Sequence, residues 1–547
     1  MKKNAKSFYW ILALLAAISF DLMFWKKPGG INFFIFTTVA VLGILIPLWL
    51  EKVQIPWTST LILVPAGFFS LMTFFRAEPL TNLINGLIVA GTLIVFTVTL
   101  RNGTWPELNL QDYIAQFLKF FLNSIIGGVL YFIQAKKDKT AGSPAGQTTD
   151  AGPPASTETG KRKIKVSPFV RGILLALPIL FILTLLLASA DPVFANRITG
   201  LFDWLSFDNL AEFLFRLTYV VIIAYVLLSA YYYGSTLSAK WEKGHHTKPV
   251  LQPFLGTIES SVVLGAVCLL FLAFVIIQFT YLFGGQENIS VEGFTYAEYA
   301  RRGFFELLAV ALISLVLFYG LSLWTKRETK SQRVTFSGLG LLLMALVCVI
   351  LVSAFTRLSL YEAAYGFTRL RTLTHIFTVW TGLVLVVTVV LEVSRKLDKL
   401  AFFLILLICC FGLTVNIFNI DQFIVQQNIT RALEIEDTSA HETLDAGYLT
   451  TLSNDAIPQL AAYFNDPVIP ETIHDNLGAV LACRLAILDE TERAPLTSWH
   501  FSREKAIQLL NDQEALKNRY PVETDNGWLY VDLDGHRFSC DGYDWMD

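Results

Sequence analysis

The feature that most constrains this chain is a series of apolar runs, each about twenty residues long. A helix of this length crosses the hydrocarbon core of a bilayer. The eleven runs are Phe8–Trp25, Ile31–Leu50, Trp57–Phe75, Asn82–Leu100, Phe169–Ala190, Phe213–Tyr233, Ser260–Phe283, Gly303–Trp324, Gly338–Phe355, Leu373–Leu391 and Ala401–Ile420. The chain is 54% hydrophobic and only 16% charged, well below the charged fraction of soluble domains. The sequence therefore predicts an all-α polytopic membrane protein with about eleven transmembrane helices.

Polar stretches divide these runs into two bundles and a tail. Residues 1–134 predict an N-terminal four-helix bundle, and residues 169–420 predict a seven-helix core. Residues 135–168 are basic and rich in Pro, Gly, Ser and Thr, which predicts a disordered linker because such a composition buries little apolar surface. Residues 421–547, called the tail below, predict an acidic, extracytoplasmic, α-rich domain.

Two segments are amphipathic, and their pattern does not decide whether they cross the membrane or lie on its surface. In Asp112–Gln134, aromatic residues recur at helical spacing among polar ones, which favours a helix lying in the membrane interface. The alternative is another full span. Asp191–Glu212 has a similar mixed character and also predicts a segment on the membrane surface.

The charge distribution predicts the orientation. The net charge of −3 divides into +12 for residues 1–420 and −15 for the tail. With the N-terminus in the cytoplasm, the cytoplasmic loops hold more than twice as many Lys and Arg as the opposite loops, as the positive-inside rule requires. We therefore expect the linker in the cytoplasm and the tail outside. If Asp112–Gln134 crossed the membrane, the linker and every later loop would change sides.

The tail carries the signals of a small folded domain. Helices are predicted at Asp455–Phe464, Glu471–Leu488 and Ser498–Leu516. Ser453 or Asn454 can cap the first of them, and Pro458 suits its opening turn. Near the end, Asp534-Gly535 lies between the alternating runs Trp528–Leu533 and His536–Cys540, a pattern typical of a β-hairpin.

Two clusters of charged and aromatic residues lie at the predicted outer surface. The first comprises Tyr296, Glu298, Tyr299, Arg301, Arg302 and Glu306; the second comprises Arg357, Tyr361, Glu362, Tyr365, Arg369 and Arg371. Within the first, three charged residues recur at intervals of four, which places them on one face of a helix. In the second, Arg357, Tyr361, Tyr365 and Arg369 also step by four, although Gly366 interrupts a helix.

Arginine is unexpected in outer loops, so these clusters need compensation by carboxylates, a bound anion or lipid headgroups. We expect the clusters to face one another across one helix–helix interface. Their role is open between a structural set of ion pairs, a site for an anionic or lipid ligand, and proton-coupled chemistry. Charges near membrane depth are functional candidates, but snorkelling relieves their cost at the membrane edge.

The sequences GFTYAEYARRGFFEL, LYEAAYGFTRLR and LDAGYLTTLSNDAIPQLAAYF are distinctive. They resemble an uncharacterised bacterial family of multi-spanning membrane proteins, the domain of unknown function numbered 4173. The resemblance covers roughly residues 167–510 and leaves out the four N-terminal runs. It implies a polytopic architecture and implies no reaction.

Other residue patterns predict little chemistry. Cys483 and Cys540 share the tail and can form a disulfide if the compartment is oxidising. His245-His246 has no ligand partner at suitable spacing, so no metal site is predicted. No phosphate loop, nucleophile elbow or kinase signature occurs, so we expect no cofactor, and enzymatic activity is disfavoured but left open.

Two classes of function lead, and a membrane enzyme acting on a lipid-linked substrate is the third. The first is a non-enzymatic protein of the bacterial cell envelope that presents its outer domain to a partner or ligand. The alternative is a transporter or lipid-handling protein that uses the outer Arg/Tyr/Glu clusters as its binding site. The expected partners are the lipid bilayer, with an anionic lipid or an extracytoplasmic protein or ligand as further candidates. Nucleic acid is not expected, and the oligomeric state is not predicted.

Overall fold

The protein is described here by a computed structural model covering residues 8–140, 183–184, 187, 191, 210–238, 253–281, 303–434, 444–490, 496–525, 528–533 and 536–541. The apolar helices are α1 (Tyr9–Phe24), α2 (Ile31–Leu50), α3 (Trp57–Leu61), α4 (Leu63–Phe75), α5 (Pro79–Thr99), α6 (Leu110–Thr140), α7 (Leu210–Tyr232), α8 (Thr257–Tyr281), α9 (Phe304–Trp324), α10 (Lys330–Tyr365), α11 (Arg369–Val393) and α12 (Leu400–Ile417). Helices α3 and α4 together form one candidate span.

Ten of the described helical segments are long and apolar enough to cross a bilayer. Nine of them correspond to predicted runs, which confirms the all-α polytopic fold. The first predicted run forms α1, which is a shorter apolar helix of 16 residues. Most of the run at residues 169–190, of the predicted linker and of Asp191–Glu212 lies outside the described residues.

The tenth candidate span is in α6, at Leu110–Tyr131, where the sequence favoured an interfacial helix. Helix α6 lies antiparallel along α7. The Tyr233 hydroxyl just after α7 donates to Gln116 Oε1 at 2.9 Å, and Asn123 Nδ2 donates to the Ser229 carbonyl at 3.1 Å. Because α7 is itself a candidate span, this side-by-side packing favours the alternative that α6 also crosses the membrane.

The chain divides into two compact units. One contains residues 1–132 and 223–547, and the other contains residues 133–222. In the smaller unit, Glu212 and Arg216 lie one turn apart in α7 and form an ion pair of 3.9 Å. Everything that follows concerns the larger unit.

Helices α8 to α11 form one apolar core within the larger unit. Leu264 of α8, Ala311 of α9 and Leu343 of α10 are fully buried in this core. Gly340 is required where α10 crosses α9, because an added Cβ would lie 2.4 Å from the Phe318 ring. Such small residues allow helices to approach closely in a membrane.

The tail consists of short helices and one sheet. Its elements are α13 (Ile420–Glu434), α14 (Ala446–Thr450), α15 (Ile457–Phe464), α16 (Glu471–Glu490), α17 (Phe501–Asn511), α18 (Glu514–Arg519), β1 (Val522–Asp525), β2 (Trp528–Leu533) and β3 (His536–Ser539). Strands β2 and β3 pair antiparallel with Leu533 opposite His536, as the sequence predicted for a hairpin. Strand β1 adds a third, unpredicted strand on the other edge of β2.

The hydrophobic core of the tail continues into the membrane helices. Ile424 and Ile429 of α13 and Leu477 of α16 are fully buried, and Leu373 of α11 and Phe411 of α12 pack against the same core. The Cys483 and Cys540 sulfur atoms are bonded, which links α16 to the residue after β3. The independence of the tail as a domain stays a prediction.

A close backbone contact joins the tail to the connection between α1 and α2. The Ile31 N–H donates to the Trp499 carbonyl at 3.1 Å. A Cβ on Gly30 would lie 2.5 Å from the Trp499 carbonyl oxygen and 2.9 Å from that of Ser498. Only glycine therefore allows the two backbones to approach this closely.

We expect Gly30→Val to destabilise the protein by about 1–3 kcal/mol, because neither backbone can move away from the new side chain without strain. Gly29→Val is the matched control, since a Cβ there would meet nothing within 4 Å. Thermal melting of the detergent-solubilised protein measures both effects. Equal melting temperatures for the two variants would contradict the close contact.

Candidate functional site

The first predicted cluster is described only at its end. Tyr296, Glu298, Tyr299, Arg301 and Arg302 lie outside the described residues. Glu306 is exposed on the first turn of α9. A Cβ on the preceding Gly303 would lie 3.1 Å from Arg357 Nη1, so the start of α9 does reach the second cluster. The shared interface of the two clusters stays a prediction.

Arg357 joins a neighbouring helix. Its side chain is buried in α10, and its Nη2 donates to Gln278 Oε1 of α8 at 3.2 Å. The same oxygen accepts a hydrogen bond of 3.0 Å from the Ser353 hydroxyl. This polar group therefore connects α8 to α10 close to their common end.

Glu362 makes a contact that the sequence analysis missed. Its carboxylate is buried, and its Oε2 lies 2.8 Å from His375 Nδ1 of α11. The other nitrogen of His375, Nε2, lies 3.3 Å from the Ser359 hydroxyl. The contact joins the last turns of α10 to the second turn of α11.

Gly366 separates the remaining members of the second cluster. With φ +78°, it ends α10, so Arg369 begins a new helix and does not share a face with Arg357. Arg371 turns back over the Tyr361 ring, 4.1 Å from its centroid, and donates to the Gly366 carbonyl at 2.6 Å.

Tyr365 is exposed at the end of α10, and its ring lies 5.0 Å from that of Tyr361. The structure therefore distributes the second predicted cluster over four different sets of contacts, of which those of Arg369 are the last.

Arg369 makes the strongest of these contacts, and it makes them with the tail. Its Nε and Nη2 donate to the two carboxylate oxygens of Asp421 at 2.7 and 2.6 Å. Asp421 is fully buried, and its Oδ2 also accepts the Ser453 N–H at 2.7 Å. Two parallel charge-assisted bonds of this kind fix both distance and orientation.

Glu78 brings the N-terminal bundle into the same network. Its carboxylate caps α5 by accepting the N–H groups of Leu80 and Thr81, and its Oε1 lies 3.7 Å from Arg369 Nε. Asp455 of the tail accepts the N–H groups of Ala77 and Glu78 at 2.8 and 3.2 Å. We call Glu78, Arg369, Asp421 and Asp455 the junction network.

Further contacts extend the junction. Arg76 donates through Nε to the Asn416 carbonyl at the end of α12, at 2.8 Å. The Arg76 carbonyl in turn lies 3.1 Å from His500 Nε2 of the tail. The ends of α4, α5, α11 and α12 thus meet the tail at one end of the bundle.

In the junction network, the positive charge of Arg369 is balanced by the carboxylates of Glu78 and Asp421. No group of three or more His, Cys, Asp or Glu suited to a metal occurs in the part of the chain that the structure describes. Because the carboxylates of Glu78, Asp421 and Asp455 are buried and accept hydrogen bonds, their first role is to hold the helices and the tail together.

The sequence did indicate that the outer arginines need carboxylate partners, but it did not identify them. Asp421 directly follows a predicted apolar run, and Glu78 lies in the short connection between two of them, which is the available signal. Spacing along the chain cannot identify such partners, because Arg369 lies 52 residues from Asp421.

We expect Arg369→Gln to lower the free energy of unfolding by about 3–5 kcal/mol, because it leaves buried carboxylates without their guanidinium. Adding Asp421→Asn should recover part of that loss, since the stranded charge is removed. Lys396→Gln, an exposed change of the same kind, is the control. Thermal melting measures all three, and a double variant no more stable than the single one would argue against a direct pair.

Comparison with known proteins gives a family and no activity. Residues 63–463 match the family described as a domain of unknown function, DUF4153. The family number predicted from the sequence, 4173, was therefore wrong. The match also begins at α4, so it includes part of the N-terminal bundle, which the predicted resemblance left out. No curated protein and no solved structure matches the chain. Because the match covers most of its length, the chain belongs to the DUF4153 family of uncharacterised proteins.

Proposed function

We propose that this is a non-enzymatic integral membrane protein of the bacterial cell envelope that holds its tail in a fixed position for an extracytoplasmic partner or ligand. The observation that carries the proposal is the junction network. Asp421 and Asp455 of the tail bond to Arg369 of α11 and to the backbone before α5. A domain held only by a flexible tether would need none of these buried contacts.

The same observation weighs against the transporter alternative. Alternating access requires one group of helices to move against another. The junction network joins α5, α11 and α13 through buried charges, whose separation would strand a charge in a medium of low dielectric. Moving α5 or α11 relative to the tail therefore costs free energy, which suits a protein that holds its tail in a fixed position.

A distance measurement tests the rigidity. With Cys268, Cys348, Cys409 and Cys410 replaced by Ala, spin labels at Leu83→Cys of α5 and Val468→Cys of the tail should give one narrow distance distribution in liposomes. Both positions are exposed. Labels at Leu61→Cys and Leu83→Cys, within the helical bundle, give the reference width. A second populated distance for the first pair would favour the transporter.

The proposed orientation places the N-terminus in the cytoplasm and the tail outside. The charge asymmetry supports it, as do the direct bonds of the tail to the backbone after α4. These bonds place the tail at the end of the bundle where α1 and α4 end. This placement holds whether or not α6 crosses the membrane. The side of the tail therefore does not depend on whether α6 spans.

Labelling of intact cells tests the orientation. In the same background, which keeps only the Cys483–Cys540 disulfide, a membrane-impermeant maleimide should modify Val468→Cys, which is 83% exposed in the tail. Lys396→Cys, exposed in the connection between α11 and α12 at the opposite end of the bundle, should react only after the cells are lysed. Modification of Lys396→Cys with protection of Val468→Cys in intact cells would reverse the topology.

A further inference from the structure

A cavity of about 570 Å³ lies where the tail meets the N-terminal helices. Its walls come from the connection between α1 and α2, the first turns of α5, and the tail helices α16 and α17. The close contact between Gly30 and Trp499 forms one edge. We call this space the junction cavity. The described members of the two predicted Arg/Tyr/Glu clusters are not among the residues that line it.

The lining of the junction cavity favours a negative ligand. Among the described residues that line it, Arg484 and Arg503 are the charged ones, and none is Asp or Glu. His500 also lines it; burial lowers the pKa of its imidazole from the ordinary value, so it is neutral at pH 7. The positive charge of the cavity therefore comes from the two guanidinium groups.

Polar atoms in this lining lack partners within the described structure. The Ser498 hydroxyl belongs to a residue that is only 1% exposed, and it has no hydrogen-bond partner. Arg484 donates to Asn454 Oδ1 at 2.7 Å through Nη2, but its Nε is buried and unpaired. Buried donors without acceptors cost free energy, so an acceptor bound here would be stabilising.

Two unpartnered atoms in the lining have the opposite character. One is Nδ1 of the neutral His500, which is a buried acceptor because Nε2 faces the Arg76 carbonyl. The other belongs to Asn82. Asn82 donates through Nδ2 to the Arg76 carbonyl at 2.7 Å, which assigns its other atom as oxygen. This oxygen, Oδ1, is buried and unpaired. A ligand that matches the lining therefore carries acceptor oxygens on one group and a hydroxyl donor on another.

Helix α17 adds a second feature that favours anions. It is 11 residues long, and no side chain caps its N-terminus. Its N-cap residue, His500, and its third residue, Arg503, both line the cavity. The N–H groups and dipole of a helix N-terminus stabilise a nearby negative charge.

The remaining walls are apolar and belong to both membrane helices and the tail. Phe24 ends α1 and Phe33 lies in the first turn of α2, while Ile487 and Leu488 come from α16. A small soluble anion needs no such surface. An amphiphile does, because its apolar part would rest beside helices that enter the bilayer.

We propose that the junction cavity binds a phosphate group that carries a neighbouring hydroxyl, as in the glycerol phosphate headgroup of an anionic lipid. The phosphate oxygens would accept from Arg484, Arg503 and Ser498, and the hydroxyl would donate to Asn82. The same headgroup chemistry exists in soluble glycerol phosphate, so the two sources must be separated by experiment. Binding here requires neither a partner protein nor a particular orientation, and its failure would leave the proposed function standing.

The test uses the purified, delipidated full-length protein. Native mass spectrometry would follow the binding of phosphatidylglycerol, with phosphatidylcholine as the lipid control and glycerol 3-phosphate as the soluble probe. The wild-type protein should retain phosphatidylglycerol in preference to phosphatidylcholine. Displacement of the lipid by glycerol 3-phosphate would show that the headgroup suffices, and binding of glycerol 3-phosphate alone would assign the site to a soluble phosphate.

Two variants connect that binding to the cavity. Arg503→Gln removes one charge-assisted bond and should weaken binding about tenfold. Ser498→Asp places a carboxylate in the cavity and should abolish binding. Lys505→Gln is the matched control, because Lys505 lies on the same helix, is exposed and does not line the cavity. It should bind as the wild type does.

Thermal melting of each variant without ligand identifies any loss of folding. If Ser498→Asp fails to fold, Arg503→Gln still decides, since its side chain is only partly buried. The proposal is overturned if the wild type binds neither probe. It is equally overturned if Arg503→Gln and Lys505→Gln bind phosphatidylglycerol with the same affinity as the wild type.

Discussion

The bidentate pair between Arg369 and Asp421 is the contact on which the junction depends. It joins the first residue of α11 to the first turn of α13, and Glu78 extends it to α5. A buried pair contributes little net stability over an apolar contact, but breaking it is costly. Its main effect is therefore on specificity, since one relative position of the tail satisfies all of these charges.

The tail also completes the ends of the membrane helices. Helix ends leave backbone groups without partners, and those groups need bonds where water is scarce. Asp455 accepts two N–H groups just before α5, Asn428 bonds to both backbone groups of Phe367, and Arg431 donates to the Ala363 and Ala364 carbonyls near the end of α10. The tail thus supplies caps that the spans do not supply themselves.

Periodicity and composition predicted the elements well and their contacts poorly. Apolar runs identify spans because each run depends on local hydrophobicity, and the Asp534-Gly535 hairpin signal is equally local. The amphipathic pattern of α6 is ambiguous because two environments can accommodate its polar residues. Gln116 and Asn123 are buried against α7 in the structure, but water at the membrane interface could satisfy the same side chains. Glu362 was predicted as a site residue, but its partner His375 was not, since their contact depends on how α10 and α11 pack. The junction cavity had no sequence signal at all, because its lining comes from five separated segments.

The contacts of the tail with the N-terminal helices have a consequence for biogenesis. Asp455 lies 378 residues beyond Ala77, and His500 lies 424 residues beyond Arg76. During synthesis the first helices enter the membrane long before these partners emerge from the ribosome. Until then the N–H groups of Ala77 and Glu78 and the carbonyl of Arg76 have no partner from the tail and depend on water. The nascent bundle is therefore most vulnerable to proteolysis in the interval before its last hundred residues arrive.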